Sequence, residues 1–168
     1  ERISINGSPI SNKDFFTATF QILNKLEQKV QLTIFEFLTA VCFIYFAEIN
    51  PVDIVIYEVG LGGKHDATNV VLPLVSIITN IDYDHIRYLG SKLEGIAKEK
   101  AGIIKSNTPC FTAEVRPRIL ALLRKESQKK RSKLVQISGS KKFTFNNDKL
   151  TMNFQFKIKK ENFKFCPR

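Results

Sequence analysis

The sequence of 168 residues contains no tryptophan, one methionine, two histidines and three cysteines, and the number and spacing of the cysteines exclude one class of site. Cys42, Cys110 and Cys166 lack the close spacing of structural zinc ligands, so we expect reduced thiols, with the first two in the core. The longest apolar stretch, residues 37–47, is too short to span a bilayer and is interrupted by Thr39. No signal-peptide pattern begins the chain. These shortages predict a cytoplasmic protein with no membrane partner.

The composition is that of a folded domain, with 43% hydrophobic and 25% charged residues. The length suits one domain with a sizeable core. The net charge of +10 is uneven, because residues 116–168 hold 16 of the 26 basic side chains and only three acidic ones. Such a tail could bind RNA phosphates. However, phenylalanine at every second position is more typical of the buried face of a hairpin. We therefore do not expect nucleic acid as a partner.

Strand patterns and helix patterns alternate along most of the chain. Four short apolar runs predict strands at residues 53–59, 75–79, 109–113 and 134–137. The first of them has the composition of a strand that is buried on both faces. Helix starts are predicted at Ser11, at capping boxes beginning with Thr33 and Ser91, and at Pro117. Alternating strands and helices predict an α/β fold with a mostly parallel sheet flanked by helices.

The pattern of apolar and polar residues changes near the end of the sequence. Residues 142–145 and 150–158 alternate apolar and polar side chains around a turn at residues 146–148. This pattern predicts an antiparallel β-hairpin at the edge of the sheet, with a further strand near Phe163.

Three segments carry residues that suit phosphate and metal chemistry. Glu58 begins residues 58–69, Glu-Val-Gly-Leu-Gly-Gly-Lys-His-Asp-Ala-Thr-Asn, directly after the first predicted strand, and His85 follows the second. Lys100 lies on the next predicted helix. Open α/β sheets bind ligands at the carboxyl ends of their strands, and Mg²⁺ binds carboxylates, phosphate oxygens and water. Taken singly, Glu58 could equally be a capping carboxylate, a lone histidine is more often structural than catalytic, and Lys100 could be a solvated lysine in a salt bridge.

Taken together, the three segments resemble the folylpolyglutamate synthase and dihydrofolate synthase family, ATP-dependent relatives of the Mur ligases. The match in motif order and spacing extends from residue 1 to about residue 136. The resemblance implies a Mur ligase central-domain fold. It also implies an enzyme, expected to be a monomer, that joins L-glutamate to folate or dihydropteroate through an acyl phosphate made from ATP.

The resemblance also implies roles for individual residues. Glu58, His85 and Lys100 would hold Mg²⁺, with Lys100 carbamylated by CO₂, and His85 and Lys100 would be catalytic. Four further residues would contact the pteroyl group of the substrate: Thr33, Phe35, Asp66 and Ala67. The capping box explains Thr33 without any ligand, so both interpretations of that residue stay open.

The sequence departs from the family in three ways. No phosphate-binding Gly-x-x-x-x-Gly-Lys-Ser/Thr occurs, Lys64 stands where the family more often has arginine, and no glutamate-binding domain follows. We therefore expect residues 1–141 to be a partial ATP-binding domain of the Mur ligase type, with residues 142–168 as its terminal hairpin. This chain alone should be inactive, and its strands should leave an exposed apolar flank.

Two other functions remain open from the sequence. One is a Mur-type ligase that adds an amino acid to a peptidoglycan precursor, although residues 58–69 favour folate. The other is a binding module without catalytic activity that uses its basic tail. The sequence does not separate dihydrofolate synthase activity from polyglutamate synthase activity.

Overall fold

The computed structural model describes residues 2–27 and 29–137, together with the backbone of three later strands. The predicted α/β class is confirmed, because a parallel three-stranded sheet is flanked by helices. The chain divides into two compact units, Glu1–Gly60 with Asp66–Val70, and Leu61–His65 with Val71–Arg168. The expected division at residues 141 and 142 stays a prediction. Within the described residues, none of the helices has the length and apolar character needed to cross a bilayer.

The first unit consists of a small hairpin and two helices. Its elements are β1 (Ser4–Ile5), β2 (Ser8–Pro9), α1 (Asn12–Lys25) and α2 (Ile34–Ile44), which continues as a π-helical turn over Tyr45–Ile49. The helix α1 begins where predicted, because the Ser11 hydroxyl accepts a hydrogen bond from the Asp14 backbone N–H at 3.0 Å. The core consists of apolar side chains from the hairpin and both helices: Ile3, Ala18, Ile22, Val41 and Tyr45.

The predicted capping box at the start of α2 is confirmed. The Glu36 backbone N–H donates to Thr33 Oγ1 at 3.2 Å, and the Thr33 backbone N–H donates to Glu36 Oε2 at 2.8 Å. The hydrogen bonds from the Thr33 backbone and side chain lower the pKa of the Glu36 carboxyl, because they stabilise its ionised form. The helical segment ends at Ile49, two residues before Pro51, as expected from the missing N–H of proline.

The second unit contains the parallel sheet, in the order β3-β4-β5. Its elements are β3 (Ser76–Ile78), α3 (Ile86–Leu89), α4 (Leu93–Ala101), β4 (Cys110–Thr112), α5 (Pro117–Lys129) and β5 (Leu134–Gln136). The strands predicted at residues 75–79, 109–113 and 134–137 are therefore confirmed. The helix start at Pro117 is confirmed as well, with proline in the first turn of α5.

One face of this sheet is buried beneath α4 and α5. Ile78 and Cys110 on that face join a core of helix and loop side chains: Ile81, Ile96, Ala97, Ala101, Ile104, Ile119 and Leu123. Burial raises the pKa of the Cys110 thiol to about 11, so this cysteine is an inert core thiol. The alternate residue of β3, Ile77, is 60% exposed. The sheet is thus covered on one face more completely than on the other.

The expected apolar flank stays a prediction, although each unit has exposed apolar side chains of the expected kind. Several large aliphatic side chains are at least 60% exposed: Ile54 and Ile56 in the first unit, and Leu72, Leu74 and Ile77 in the second. Scattered apolar side chains on a surface are ordinary, but these lie close together in sequence next to the predicted strands.

The strand predicted at residues 53–59 is wrong. The segment belongs to no helix and no strand; exposed residues alternate with half-buried ones from Ile54 onwards, and it pairs with none of the strands in the described residues. Ile56 is 90% exposed, whereas the pattern predicted burial on both faces. The physical reason is that an apolar run favours an extended chain, whereas a strand also needs a hydrogen-bonded neighbour, which local sequence does not show.

The capping box predicted at Ser91 is also wrong. The N-cap of α4 is Lys92, and its side chain makes no capping hydrogen bond. Because α4 begins at Leu93, Glu94 occupies the second helical position, whereas a capping box needs glutamate at the third. Glu94 instead forms an ion pair with Arg118, with 2.7 Å between Oε1 and Nε.

The predicted hairpin is confirmed, but its position differs from the prediction. Three antiparallel strands, β6 (Lys142–Asn146), β7 (Thr151–Ile158) and β8 (Glu161–Phe165), pair with one another in a sheet separate from the parallel one. The third strand contains Phe163, as expected. The predicted turn lies largely outside the described residues. The sequence pattern specified strand pairing by alternation, but nothing in it specified which sheet the strands would join.

Candidate active site

The glycine-rich loop packs against the helix that carries Lys100. Within the second unit, the Lys64 backbone N–H donates to the Glu99 carbonyl oxygen at 2.9 Å. A Cβ atom added to Gly63 would lie 2.8 Å from that oxygen and 3.1 Å from the Cα of Lys100. A Cβ added to Gly102 would lie 2.3 Å from the Cβ of Lys64. These glycines therefore let the loop backbone lie directly on the end of α4.

The missing side chains of these glycines make room for protein packing. Gly62 adopts φ 70°, a left-handed conformation that favours glycine, and Cβ at this position would lie 3.2 Å from Leu89. The loop backbone therefore lies in direct contact with the backbone of α4 at Glu99 and Lys100.

Lys100 is half-buried in the last turn of α4. Its backbone carbonyl accepts from the Ile103 N–H at 3.3 Å, which tightens the end of the helix. None of the ion pairs formed by the described residues involves Lys100, so the surface salt bridge considered from the sequence does not form.

His85 lies in an exposed loop between β3 and α3. Its backbone is left-handed, with φ 49°, which is unusual for a residue with a side chain. Asp84 Oδ1 accepts the His85 backbone N–H at 2.8 Å. The other oxygen, Asp84 Oδ2, lies 3.6 Å from His85 Nε2, too far for a hydrogen bond. Asp84 therefore holds the backbone at His85, and its contact with Nε2 is not a hydrogen bond.

The metal assignment stays a prediction. Glu58 is an exposed side chain of the first unit, whereas His85 and Lys100 belong to the second. Among the described residues, no three histidine, cysteine, aspartate or glutamate side chains form a group that could hold a metal ion. The Glu58 carboxylate is the kind of oxygen ligand that Mg²⁺ prefers.

The predicted pteroyl-contacting residues lie near one another within the first unit. The Phe35 ring packs on Gly60, where an added Cβ would lie 2.6 Å from Cζ. The Gly60 backbone N–H donates to Asp66 Oδ2 at 2.9 Å. Asp66 precedes a 3₁₀ turn over Ala67–Val70. Gly60 thus connects the aromatic ring at the start of α2 with the Asp66–Ala67 turn.

Two of these residues already have internal hydrogen bonds. Asp66 Oδ1 accepts from the backbone N–H of Thr68 at 2.9 Å, and from its hydroxyl as well. The Thr33 hydroxyl donates to Glu36 Oε2 at 2.8 Å as part of the capping box. Both side chains therefore stabilise local structure, whether or not they also contact a substrate. The half-buried ring of Phe35 and the half-buried Ala67 are the apolar part of the set.

Sequence reasoning missed one prominent residue, Glu114. It follows β4, is 1% exposed, and accepts hydrogen bonds from Ile81, Val115 and Arg116. Burial by itself raises the pKa of Glu114, but the hydrogen bonds outweigh it, so the pKa is lowered. The available signal was a carboxylate at a strand end two residues before an arginine, which is a weak one.

Because of Glu114, the stability of the fold should depend on pH. Because its pKa is lowered in the folded state, ionised Glu114 stabilises the fold above the ordinary pKa of 4.5. That stabilisation is lost as the pH falls from there through the lowered value. We therefore expect the difference in free energy of unfolding between wild type and Glu114→Gln to be constant above about pH 6 and to shrink towards pH 3.

Urea unfolding at a series of pH values measures this difference. Glu126→Gln is the control, because Glu126 forms a surface ion pair with Lys129, 2.7 Å between Oε1 and Nζ. It should change stability by less than about 1 kcal/mol. A difference for Glu114→Gln that does not vary between about pH 6 and pH 3 would contradict the assignment.

Comparisons with known proteins show which family the chain resembles. Residues 10–166 match the sequence model of the Mur ligase middle domain. The dihydrofolate synthase/folylpolyglutamate synthase of Bacillus subtilis is 42% identical over 166 residues, covering 96% of this chain and 38% of that protein. The folylpolyglutamate synthase of Lacticaseibacillus casei is 38% identical over 129 residues, covering 73% of this chain and 30% of that protein. The chain therefore spans less than two fifths of the length of these relatives.

Solved structures show the same likeness. The apo form of L. casei folylpolyglutamate synthase aligns with a TM-score of 0.81 at 30% identity, covering 95% of this chain and 40% of that one. The Mycobacterium tuberculosis enzyme complexed with ADP and AMPPCP aligns with a TM-score of 0.78 at 31% identity, covering 91% of this chain and 37% of that one.

The match takes in the glycine-rich loop, the His85 loop and the helix that carries Lys100. The resemblance inferred from the three motifs is thereby confirmed. Since the family match extends over nearly the whole sequence and the folds agree, the chain belongs to the Mur ligase middle domain family.

Proposed function

We propose that this chain is the central part of an ATP-dependent ligase that joins L-glutamate to folate or dihydropteroate. The observation that carries the proposal is the packing of the glycine-rich loop on the helix of Lys100, with Lys64 N–H bonded to Glu99 O. The relatives at 42% and 38% identity are named as synthases of this kind, which supports the same substrate class here.

The proposed reaction has two steps. A carboxylate oxygen of the pteroyl substrate attacks the γ-phosphorus of ATP, and ADP leaves. The amine nitrogen of L-glutamate then attacks the acyl carbon, an amide bond forms, and inorganic phosphate leaves with the electron pair of the broken C–O bond. In reactions of this type the protein acts mainly by positioning the groups and balancing their charge.

The residues form two sets, one for the pteroyl group and one for the transferred phosphoryl group. Phe35 and Ala67 offer apolar surface to the pteroyl group, while Asp66 and Thr33 shape the turn and the helix start beside it. Glu58, His85 and Lys100 act at the phosphoryl group. Mg²⁺, when bound, would neutralise part of the phosphate charge, and Glu58 and carbamylated Lys100 are suited to hold it.

Release of ADP tests the proposal. The protein, expressed with all the sequence that its gene supplies, should release ADP over many turnovers only when ATP, L-glutamate and a pteroyl acceptor are present together. Acceptor choice separates the two activities, since dihydropteroate reports dihydrofolate synthase and folate monoglutamate reports polyglutamate synthase. Stimulation by a peptidoglycan precursor in place of the pteroyl acceptor would overturn the proposal in favour of a cell-wall ligase.

Asp66→Ala should weaken the pteroyl site selectively. Its carboxylate connects Gly60, beneath the Phe35 ring, with Thr68, so its loss frees the turn beside the proposed pteroyl site. Losing charge-assisted hydrogen bonds of about 1.5–3 kcal/mol predicts a rise of roughly tenfold or more in the acceptor KM. The KM for ATP should change less than about twofold.

Steady-state kinetics with each substrate varied in turn measure this selectivity. The exposed Asp53 of the same unit provides the control, and Asp53→Ala should leave both constants unchanged. Equal increases in the acceptor and ATP constants would show that Asp66 has only a structural role.

The 168 residues alone should bind ATP weakly. Backbone N–H groups and a lysine of a phosphate-binding loop normally hold the β- and γ-phosphates, and this sequence contains no such motif. We expect a dissociation constant on the order of millimolar, measured by isothermal titration calorimetry with Mg²⁺ present. Micromolar binding would contradict the prediction and reveal a phosphate site that the motifs do not show.

A further inference from the structure

An ion pair between the buried Glu114 and the partly exposed Arg116 lies beside the segment that leads to His85. Glu114 Oε2 accepts hydrogen bonds from the Ile81 backbone N–H at 2.9 Å and from Arg116 Nη2 at 3.1 Å. Glu114 Oε1 accepts from Arg116 Nε at 2.9 Å and from the backbone N–H groups of Val115 and Arg116. A carboxylate that is 1% exposed would be costly to bury without such partners. All of its bonds lie within the second unit.

These bonds fix the chain where it leaves β3. The side chain of Ile81 is completely buried, and its N–H is held by Glu114. Two residues earlier, the Thr79 carbonyl accepts from the Ala113 N–H at 3.0 Å and from Thr112 Oγ1 at 3.2 Å. Residues 79–81 are therefore tied to the chain that leaves β4, immediately before the loop of His85.

Arg116 continues the network towards the loop. Its guanidinium lies 3.7 Å from Oδ1 of Asp82, which precedes Asp84 by two residues. The hydrogen bond to Glu114 raises the pKa of Arg116, so the guanidinium stays charged. On the other side, Gln136 Nε2 donates to the Glu114 carbonyl oxygen at 3.0 Å. The pair thus connects the carboxyl ends of β3, β4 and β5.

We propose that Glu114 and Arg116 are positioning residues for His85. They hold the chain at Ile81, where it leaves β3, and thereby position the left-handed backbone of His85. This inference rests on the proposed function, in which His85 acts at the transferred phosphoryl group. Without the ion pair, the His85 backbone N–H still donates to Asp84, but the chain before the loop is no longer held in place.

Hydrogen exchange tests the positional part without any activity. Glu114→Gln cannot satisfy every donor, because its amide nitrogen replaces one accepting oxygen with a donor. We expect amide exchange in residues 81–86 to become about tenfold faster, with little change at Cys110, whose N–H donates to the Lys133 carbonyl at 2.9 Å. Equal acceleration at Cys110, or no change at Ile81, would overturn the proposal.

Kinetics test the functional part in the protein with all its gene-encoded sequence. Arg116→Lys keeps the charge but loses the bidentate geometry, and it should lower kcat about tenfold while the KM for the pteroyl acceptor stays within about twofold. Glu126→Gln, the surface control, should match wild type. Equal losses in kcat and in acceptor binding, or an unchanged kcat, would overturn the positioning role.

The two readouts separate failure of the inference from failure of the proposed function. If wild type does not ligate glutamate, the proposed function fails, while hydrogen exchange still reports whether the pair holds the His85 loop. If wild type is active and Glu114→Gln leaves exchange in residues 81–86 unchanged, the inference alone fails.

Discussion

Replacing Gly102 with alanine should reduce ligase activity at least 100-fold and lower the free energy of unfolding by about 1–3 kcal/mol. The backbone at Gly102 is right-handed, with φ −60° and ψ −19°, so alanine is allowed there conformationally. The added methyl would instead lie 2.5 Å from the Cα of Lys64, a backbone contact that a side-chain rotation cannot relieve. The loop must move away from α4, and the spacing between the loop and Lys100 is lost.

Gly95 on the same helix offers a matched control. Its added Cβ would meet only the Leu89 carbonyl oxygen, at 3.7 Å, which is ordinary contact. Gly95→Ala should therefore stabilise the protein by about 0.5–1 kcal/mol through helix propensity and leave activity unchanged. Chemical unfolding and steady-state assays of both variants make the comparison. Wild-type stability in Gly102→Ala would show that the loop does not depend on this close packing.

Replacing Lys100 with alanine should lower kcat by roughly 10³-fold, the size expected for losing a major electrostatic contribution to the transition state. Lys100→Arg distinguishes a carbamate from a simple cation. Arginine keeps the positive charge but does not offer the amine nitrogen that reacts with CO₂. If Lys100 acts as a carbamate, both variants should be equally inactive.

Chemical rescue and CO₂ removal complete this test. Added formate or acetate should restore part of the activity of Lys100→Ala, because a small carboxylate can replace the missing oxygens. Wild type should lose activity in buffer stripped of CO₂ and recover it with bicarbonate. An active Lys100→Arg variant would show that the positive charge of the ammonium, and not a carbamate, is what the reaction requires.

Local sequence signals predicted local structure well. Ser11 and the Thr33 capping box mark helix starts because the hydrogen bonds that define them join residues three apart. The predicted cap at Ser91 failed because the helix starts one residue later, and no local rule separates the two registers. The strand at residues 53–59 failed because pairing depends on a distant segment, which local apolar character does not reveal.

The candidate site was predictable only in part. Glu58, His85 and Lys100 were predicted through the family resemblance, and their roles stay predictions. Sequence could not show that Gly63 and Gly102 serve packing between the loop and α4, because a missing side chain looks the same beside a ligand and beside a helix. Glu114 was not predicted because its importance depends on a hydrogen bond from Ile81, which is 33 residues away.

Isotope transfer tests the central claim most directly. The carboxylate of the pteroyl acceptor is labelled with ¹⁸O and incubated with ATP, L-glutamate and the protein with all its gene-encoded sequence. Ligation through an acyl phosphate transfers one labelled oxygen to inorganic phosphate, and mass spectrometry detects it together with the new amide product. We expect one ¹⁸O in phosphate for each amide formed. Amide formation with unlabelled phosphate, or no ATP-dependent amide at all, would contradict the account.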